Sequence, residues 1–185
     1  MNSDRLHQLF VYEPETGFLR WRVAPCSRAK VGGVAGGVHK RTEYIRVSVD
    51  GRETTAHRVI WTMLHGPIPA GMVIDHINGI RADNRLSNLR CVTQQVNTQN
   101  RRKPSSHNKV GLLGVRRMRG TNRFTAEIKD AEGVVHHLGG FATAEEAHAA
   151  YLTAKAVLHE GVGAQFFNRK AKTTCLEEMQ ARLAA

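Results

Sequence analysis

Cysteine, acidic side chains and long apolar runs are what this 185-residue chain has little of. Its three cysteines, Cys26, Cys91 and Cys175, are odd in number and widely spaced. They build neither a disulfide framework nor the paired thiol knuckles of a structural zinc site, so reduced thiols in a cytosol-like compartment are expected. No apolar run approaches the ~20 residues of a membrane-spanning helix, so no membrane association is expected. The opening MNSDRLHQLF lacks the apolar stretch of a secretory signal, which predicts a cytoplasmic protein that is not secreted. Aromatics are 6% and hydrophobics 41%, an ordinary soluble composition with room for one medium domain or two small ones. The scarcity of acids matters most. Lys and Arg number 27 against 16 Asp and Glu, a net charge of +11, and that balance calls for a polyanion, most often nucleic acid. Residues 1–104 carry 16 basic against 8 acidic side chains and residues 105–185 carry 11 against 8. Local knots stand at Arg101-Arg102-Lys103 and Arg116-Arg117-Met118-Arg119.

The chemistry-bearing stretch runs from Met72 to Asn100. A short apolar run, Met72 to Ile74, ends in Asp75 and His76. A polar turn with Asn78-Gly79 and Asp83-Asn84 favours reversal of the chain. Leu89 to Val92 reads as the returning strand, and Thr93 as the N-cap of a helix carrying Asn97 one turn in. Such a unit can gather Asp75, His76, Asn88 and Asn97 in one place. Those residue types suit phosphodiester hydrolysis. A hard divalent cation takes oxygen ligands, which the Asp75 carboxylate and the Asn97 amide can supply. A neutral His76 can remove a proton from water, and Asn88 can hold its tautomer.

DHINGIRADNRLSNLRCVTQQVNTQN resembles the HNH endonuclease core with its ββα-metal fold, in the subset of phage and intron homing enzymes whose motif ends in Asn. The lead-in AHRVIWTMLHGPIPAGMVIDH is similar to the same subset. The resemblance implies Asp75 and Asn97 as metal ligands, His76 as general base and Asn88 as its orienting partner. It further implies Mg²⁺ or Mn²⁺ as the metal, and products with a 5′-phosphate and a 3′-hydroxyl.

Ahead of this core, residues 4–12 are expected to form a short helix, Phe18 to Val23 a strand, and Tyr44 to Val49 a hairpin with Arg52 to Ala56 around Asp50-Gly51. The glycine pairs of VGGVAGGV (31–38) lack the following Gly-Lys-Ser/Thr of a phosphate loop and read as flexible hairpin or linker. Val59, Ile60, Met63 and Leu64 mark a helix over 57–65, and its His57 and His65 read as structural. Residues 101–109, RRKPSSHNK, have linker composition. Beyond them, strands are expected over Gly114–Arg119, Arg123–Lys129 and Val134–Gly139. Thr143 then caps a helix whose apolar stripe is Ala147, Tyr151, Ala154 and Leu158. GVRRMRGTNRFTAEIKD, HLGGFATAEEAHAAY and the late Phe167-Asn168 resemble the DNA-binding domain of plant ethylene-response factors, the apetala-two family. That resemblance implies a free sheet face in the major groove, with Arg116, Arg123 and Lys129 toward DNA and Arg117 and Arg119 nearby. His137 stands where that family has a tryptophan, and Met118 where it has an arginine.

The expected class is α+β: N-terminal β-hairpins and a ββα-metal core, then a three-stranded antiparallel sheet packed on one helix. The expected divisions are a DNA-contacting hairpin region (1–55), the nuclease core (56–101), a basic linker (102–109), the second DNA-binding domain (110–168) and a C-terminal helix or tail (169–185). The expected activity is a metal-dependent, homing-type HNH endonuclease of phage or mobile-element kind, nicking or cleaving double-stranded DNA with sequence-selective binding in a bacterial or phage-infected cell. It is expected to act as a monomer with one divalent cation, without zinc. Arg101, Arg102, Lys103, Arg116, Arg117, Arg119, Arg123, Lys129 and His137 are the expected DNA contacts. The alternative is a catalytically inactive DNA-binding regulator.

Overall fold

A computed structural model describes residues 2–159. The expectations for Phe167-Asn168, Cys175 and a C-terminal helix or tail over 169–185 lie outside the described residues. The chain divides into two compact units between Gln94 and Gln95, and both mix short helices with antiparallel sheets.

In the first unit, α1 (Ser3–Leu9) is capped by the Asn2 side chain, which accepts from the Asp4 backbone N–H. It buries Leu6 and Leu9. The expected helix over 4–12 stops early, because Phe10–Glu13 is strand β1, paired with β2 (Phe18–Trp21). Phe-Val-Tyr is a β-favouring run, and the turn at Gly17 (φ 76°) lets the chain fold back on it. A three-stranded sheet comes next: β3 (Gly37–Val38), β4 (Ile45–Val49) and β5 (Arg52–Thr55), in spatial order β3-β4-β5. The tight turn between β4 and β5 has Asp50 at φ 48° and Gly51 at φ 79°, the two positive values that a type I′ hairpin requires. The glycine-rich stretch supplies the edge strand of this sheet. A Cβ on Gly36 would lie 2.4 Å from the Arg46 carbonyl oxygen.

Helix α2 (Ala56–His65) buries Ala56, His57, Val59, Ile60 and Met63. It leads through residues 66–71 into β6 (Met72–His76), which pairs antiparallel with β7 (Leu89–Thr93) after a single 3₁₀ turn at Leu86–Asn88. One apolar core runs from Leu6 and Phe10 through Leu19, Val47, Val59 and Ile60 to Ile74 and Leu89. Side chains from Leu6 to Val49 therefore share one core with Ile74 and Leu89 of the β6–β7 ribbon. Burial on this scale, about 25 cal/mol per Å² of apolar surface, dominates the stability of a unit this small.

The second unit starts earlier than the expected linker. Helix α3 (Gln94–Gln99) begins directly after β7, and Thr93 closes that strand. Gln95 donates from Nε2 to the Ala131 carbonyl, and Lys155 donates to the Arg101 carbonyl. These bonds attach residues 95–101 to the sheet and helix of the second unit, a link between side chains and distant main chain that composition does not reveal. Residues 101–114 form turns without a regular element. Strands β8 (Val115–Arg117), β9 (Phe124–Lys129) and β10 (Val135–Phe141) make an antiparallel sheet in order β10-β9-β8, and α4 (Ala144–Leu158) packs on it. Thr143 and Glu146 form a reciprocal capping box at the start of α4. Val115, Ala126, Ile128, Ala147, Tyr151 and Ala154 are the core. A Cβ on Gly114 would come within 2.0 Å of the Tyr151 ring, so only glycine lets the chain pass there.

Candidate functional site

The end of β6 carries Asp75 and His76, which are 6% and 3% exposed. Cross-strand register sets their surroundings. Asp75 lies opposite Arg90 and His76 opposite Leu89. Arg90 accordingly donates to Asp75 Oδ2 from both Nε (3.0 Å) and Nη2 (2.8 Å). His76 meets α2, where the His57 ring stands edge-on at 4.9 Å between centroids, and Tyr44 lies 5.9 Å away. Tyr44 also lies tilted against His57 at 5.1 Å between centroids, and the Arg81 guanidinium sits 5.0 Å over the Tyr44 ring. Arg81 is held there by a 3.0 Å bond to the Thr42 carbonyl.

Burial lowers the His76 pKa, while its bond to Asn84 and the charges of Asp75 and Asp83 pull the other way. Burial, next to His76 and Arg58, pushes His57 down to about 3. Both imidazoles are therefore neutral at pH 7, the form a proton acceptor needs.

The partner of the His76 ring is Asn84. His76 Nε2–H donates to Asn84 Oδ1 over 2.9 Å, leaving the lone pair on Nδ1. Asn88 was expected to hold the imidazole, and its own side-chain bonds run to the backbone of the loop. Asn88 Oδ1 accepts from the Asn78 backbone N–H (2.9 Å), and its Nδ2 donates to the Asp83 carbonyl (2.8 Å). Asn88 fastens the two ends of the loop after His76, because the loop returns over its own start. Asp83 tightens the same loop, accepting from Asn78 Nδ2 and from both Arg85 Nε and Nη2 at 2.7–2.8 Å. The Arg85 bonds are the largest of the effects that bring Asp83 to about 2.

Sequence reasoning missed Asn84, Tyr44 and the closeness of His57. The one available signal was the Asp-Asn pair, read as a turn. Asn97 sits on α3, in the second unit. Among the described residues no group of three His, Cys, Asp or Glu side chains is arranged to hold a metal. A carboxylate oxygen such as that of Asp75 is a hard donor, of the kind that suits a small divalent cation better than zinc.

Residues 54–99 match the family model for HNH endonucleases. This segment is an HNH endonuclease domain. The chain is 35% identical over 106 residues to an uncharacterised HNH endonuclease of Acanthamoeba polyphaga mimivirus, covering 57% of this chain and 53% of that one. It is 41% identical over 59 residues to Protein 3.8 of Escherichia phage T7, covering 32% and 48%. The chain thus spans about half the length of these curated relatives. A solved structure titled for DNA binding and cleavage by the HNH homing endonuclease I-HmuI aligns with 54% of this chain and 55% of its own, at TM-score 0.39 and 22% identity.

The basic side chains expected at DNA divide by strand alternation in the second unit. Arg116 pairs with Thr125, His137 with Glu127, and Val135 with Lys129, so these side chains leave the sheet on the face away from the core. Arg117 pairs with Phe124 and alternates to the other face, where its guanidinium holds Asn122 Oδ1 at 2.6 Å. Arg123 donates to the Gly140 carbonyl, and Arg119 lies in the exposed turn after β8. Glu127 interrupts the basic face, bridging Arg116 (3.4 Å) and His137 (3.2 Å). Arg101, Arg102 and Lys103 are exposed.

Proposed function

We propose that this chain is a metal-dependent endonuclease that hydrolyses phosphodiester bonds in double-stranded DNA. The HNH domain cuts, and the second unit selects and holds the site. The observation that carries this reading is His76: buried, neutral, tied through Nε2 to Asn84 and adjacent to Asp75 at the end of β6. His76 takes the proton of the attacking water on Nδ1, since Nε2 keeps its own proton in the bond to Asn84. Asp75 would hold the cation as a hard oxygen ligand, and the motif resemblance implies the same part for Asn97. Bound there, Mg²⁺ or Mn²⁺ supplies stabilisation of charge on the scissile phosphate and on the leaving oxygen. Arg90 orients the Asp75 carboxylate by taking Oδ2. Asn88 acts one step removed, by closing the loop that carries Asn84. The products carry a 5′-phosphate and a 3′-hydroxyl.

Arg116, Lys129 and His137 on the free sheet face, with Arg119 and Arg123 at its rim, contact the duplex. Arg101, Arg102 and Lys103 track its phosphates, and Arg117 contributes at the edge of the sheet. Phosphate contacts dominate such binding, so affinity falls steeply with salt. The enzyme works as a monomer of homing type, and one site per chain favours a nick.

One observation favours a second reading, a DNA-binding regulator without catalysis: the Asp75–Arg90 ion pair competes with a cation for the carboxylate. Supercoiled plasmid incubated with the protein and Mg²⁺, Mn²⁺ or EDTA separates the two, with His76→Ala alongside. Metal-dependent open circles or fragments, absent in the variant, support the endonuclease. Retarded but uncut plasmid under every condition supports the regulator.

A further inference from the structure

The HNH reading assigns no role to the N-terminal hairpin β1–β2, yet that hairpin grips the loop after β6 at the two successive peptides that flank Arg85. Tyr12 Oη donates to the Asn84 carbonyl (3.2 Å) and accepts from the Leu86 backbone N–H (2.9 Å). The hairpin turn presses on the same place. A Cβ on Gly17 would stand 2.7 Å from the Asn84 carbonyl carbon and 2.5 Å from the Arg85 nitrogen. Within the loop, Asn88 takes the Asp83 carbonyl and Arg85 takes the Asp83 carboxylate. The backbone of Asn84 is thus fixed from the residues on either side and from a hairpin 72 positions earlier in sequence.

What this clamp delivers is one side-chain atom. Asn84 is 1% exposed, and its Oδ1 accepts from His76 Nε2 at 2.9 Å. The amide of Asn84 is not placed for its own satisfaction: Nδ2 is buried with no hydrogen-bond partner among the described residues. A buried unpaired N–H costs about 1–3 kcal/mol, a burden that a residue serving only the fold would shed by turning or by substitution.

We propose that Asn84 is the positioning residue of His76, and that β1–β2 is the strut holding it there. This rests on the reading of His76 as general base. Asn84 never touches substrate. It keeps the imidazole in the Nε2–H tautomer, so that Nδ1 carries the lone pair, and it fixes the ring plane. Tyr12 and Gly17 act through the Asn84 main chain, making the N-terminal hairpin a part of the catalytic apparatus.

The test uses the full chain as wild type and as Asn84→Ala, Asn84→Asp, Tyr12→Phe and His76→Ala. Two readouts are taken: single-turnover cleavage of supercoiled plasmid with Mn²⁺ across a range of protein concentrations, and ¹⁵N imidazole shifts of His76. In the wild type the ring is a single Nε2–H tautomer. Asn84→Ala lowers the saturated cleavage rate about 10–100-fold, the cost seen when a metal-ligating histidine loses the group that orients it, and leaves the half-saturating protein concentration unchanged. Its His76 ring becomes a mixture of tautomers. Asn84→Asp keeps an acceptor on Nε2–H and recovers most of the rate, and Tyr12→Phe falls between. If Asn84→Ala fails to fold, Asn84→Asp and Tyr12→Phe decide through the same ring signature. A wild-type ring protonated on Nδ1, or an unchanged tautomer and rate in Asn84→Ala beside an inactive His76→Ala, overturns the positioning role and leaves the base in place. A fully active His76→Ala overturns both.

Discussion

Replacing Asn88 by alanine separates two roles that an asparagine at this point of the motif can play. Holding the imidazole would make its loss a catalytic defect in a stable protein. The structure gives it a different task, since both polar ends of the side chain close the loop between β6 and β7, taking the Asn78 N–H and the Asp83 carbonyl. Asn88 is 7% exposed, so truncation removes two partly buried hydrogen bonds and leaves two backbone groups short of a partner. At roughly 1 kcal/mol net for each bond, with a further penalty for unpaired groups, Asn88→Ala costs about 2–3 kcal/mol. With a urea slope of about 1–1.5 kcal/mol per molar for a unit of this size, the unfolding midpoint drops by about 2 M. Tryptophan fluorescence reports the right event, because Trp21 and Trp61, the two tryptophans of the chain, both belong to the first unit. Unfolding of the second unit is silent in that signal. A variant whose midpoint matches wild type while cleavage disappears would refute the clasp and return Asn88 to the imidazole.

Burial lowers the His76 pKa, and the proposed general base is the neutral ring. Cleavage by the proposed base should therefore hold at neutral pH and fall as pH drops through a His76 pKa lowered from that of a free imidazole; a pH–rate profile at saturating metal checks this. Asp83 is held at about 2 against an ordinary 3.8, so its folded pKa is depressed. Its stabilisation is present above about pH 4 and is lost as pH falls toward 2. The shift is worth about 2 kcal/mol at 1.36 kcal/mol per unit, reduced to about 1 by the solvent around Arg85. Urea midpoints at pH 7 and pH 3 should converge for Asp83→Asn relative to wild type. Glu127→Gln removes the one carboxylate between Arg116 and His137, and should tighten binding of a fluorescent duplex at low salt, with the gain fading as salt rises. Gly114→Ala drives a Cβ into the Tyr151 ring at a positive φ of 78°. It should destabilise the second unit by about 2–3 kcal/mol, read by thermal unfolding in circular dichroism.

Features that depend on neighbours along the chain were legible before any fold was known. Alternation and turn chemistry placed β4, β5 and their Asp50-Gly51 turn, the ribbon from Met72 to Thr93, and the capped helix after Thr143. Each is decided by side-chain periodicity and backbone preference within a few residues. The pairing of acid and imidazole at Asp75-His76 was visible for the same reason. Tertiary structure alone decided the matters in which distant segments compete. Phe10 to Tyr12 left helix α1 because the returning strand Phe18–Trp21 offered a ladder, and the boundary between units moved to Gln94 because bonds involving Ala131 and Lys155 hold residues 95–101. Three asparagines, Asn78, Asn84 and Asn88, lie in the loop after His76, and local spacing does not say which of them meets the imidazole. The path of the loop says so. That path is fixed by Tyr12 and by the missing side chain of Gly17, contacts across some seventy residues of sequence that exist only once the core has brought the hairpin and the loop together.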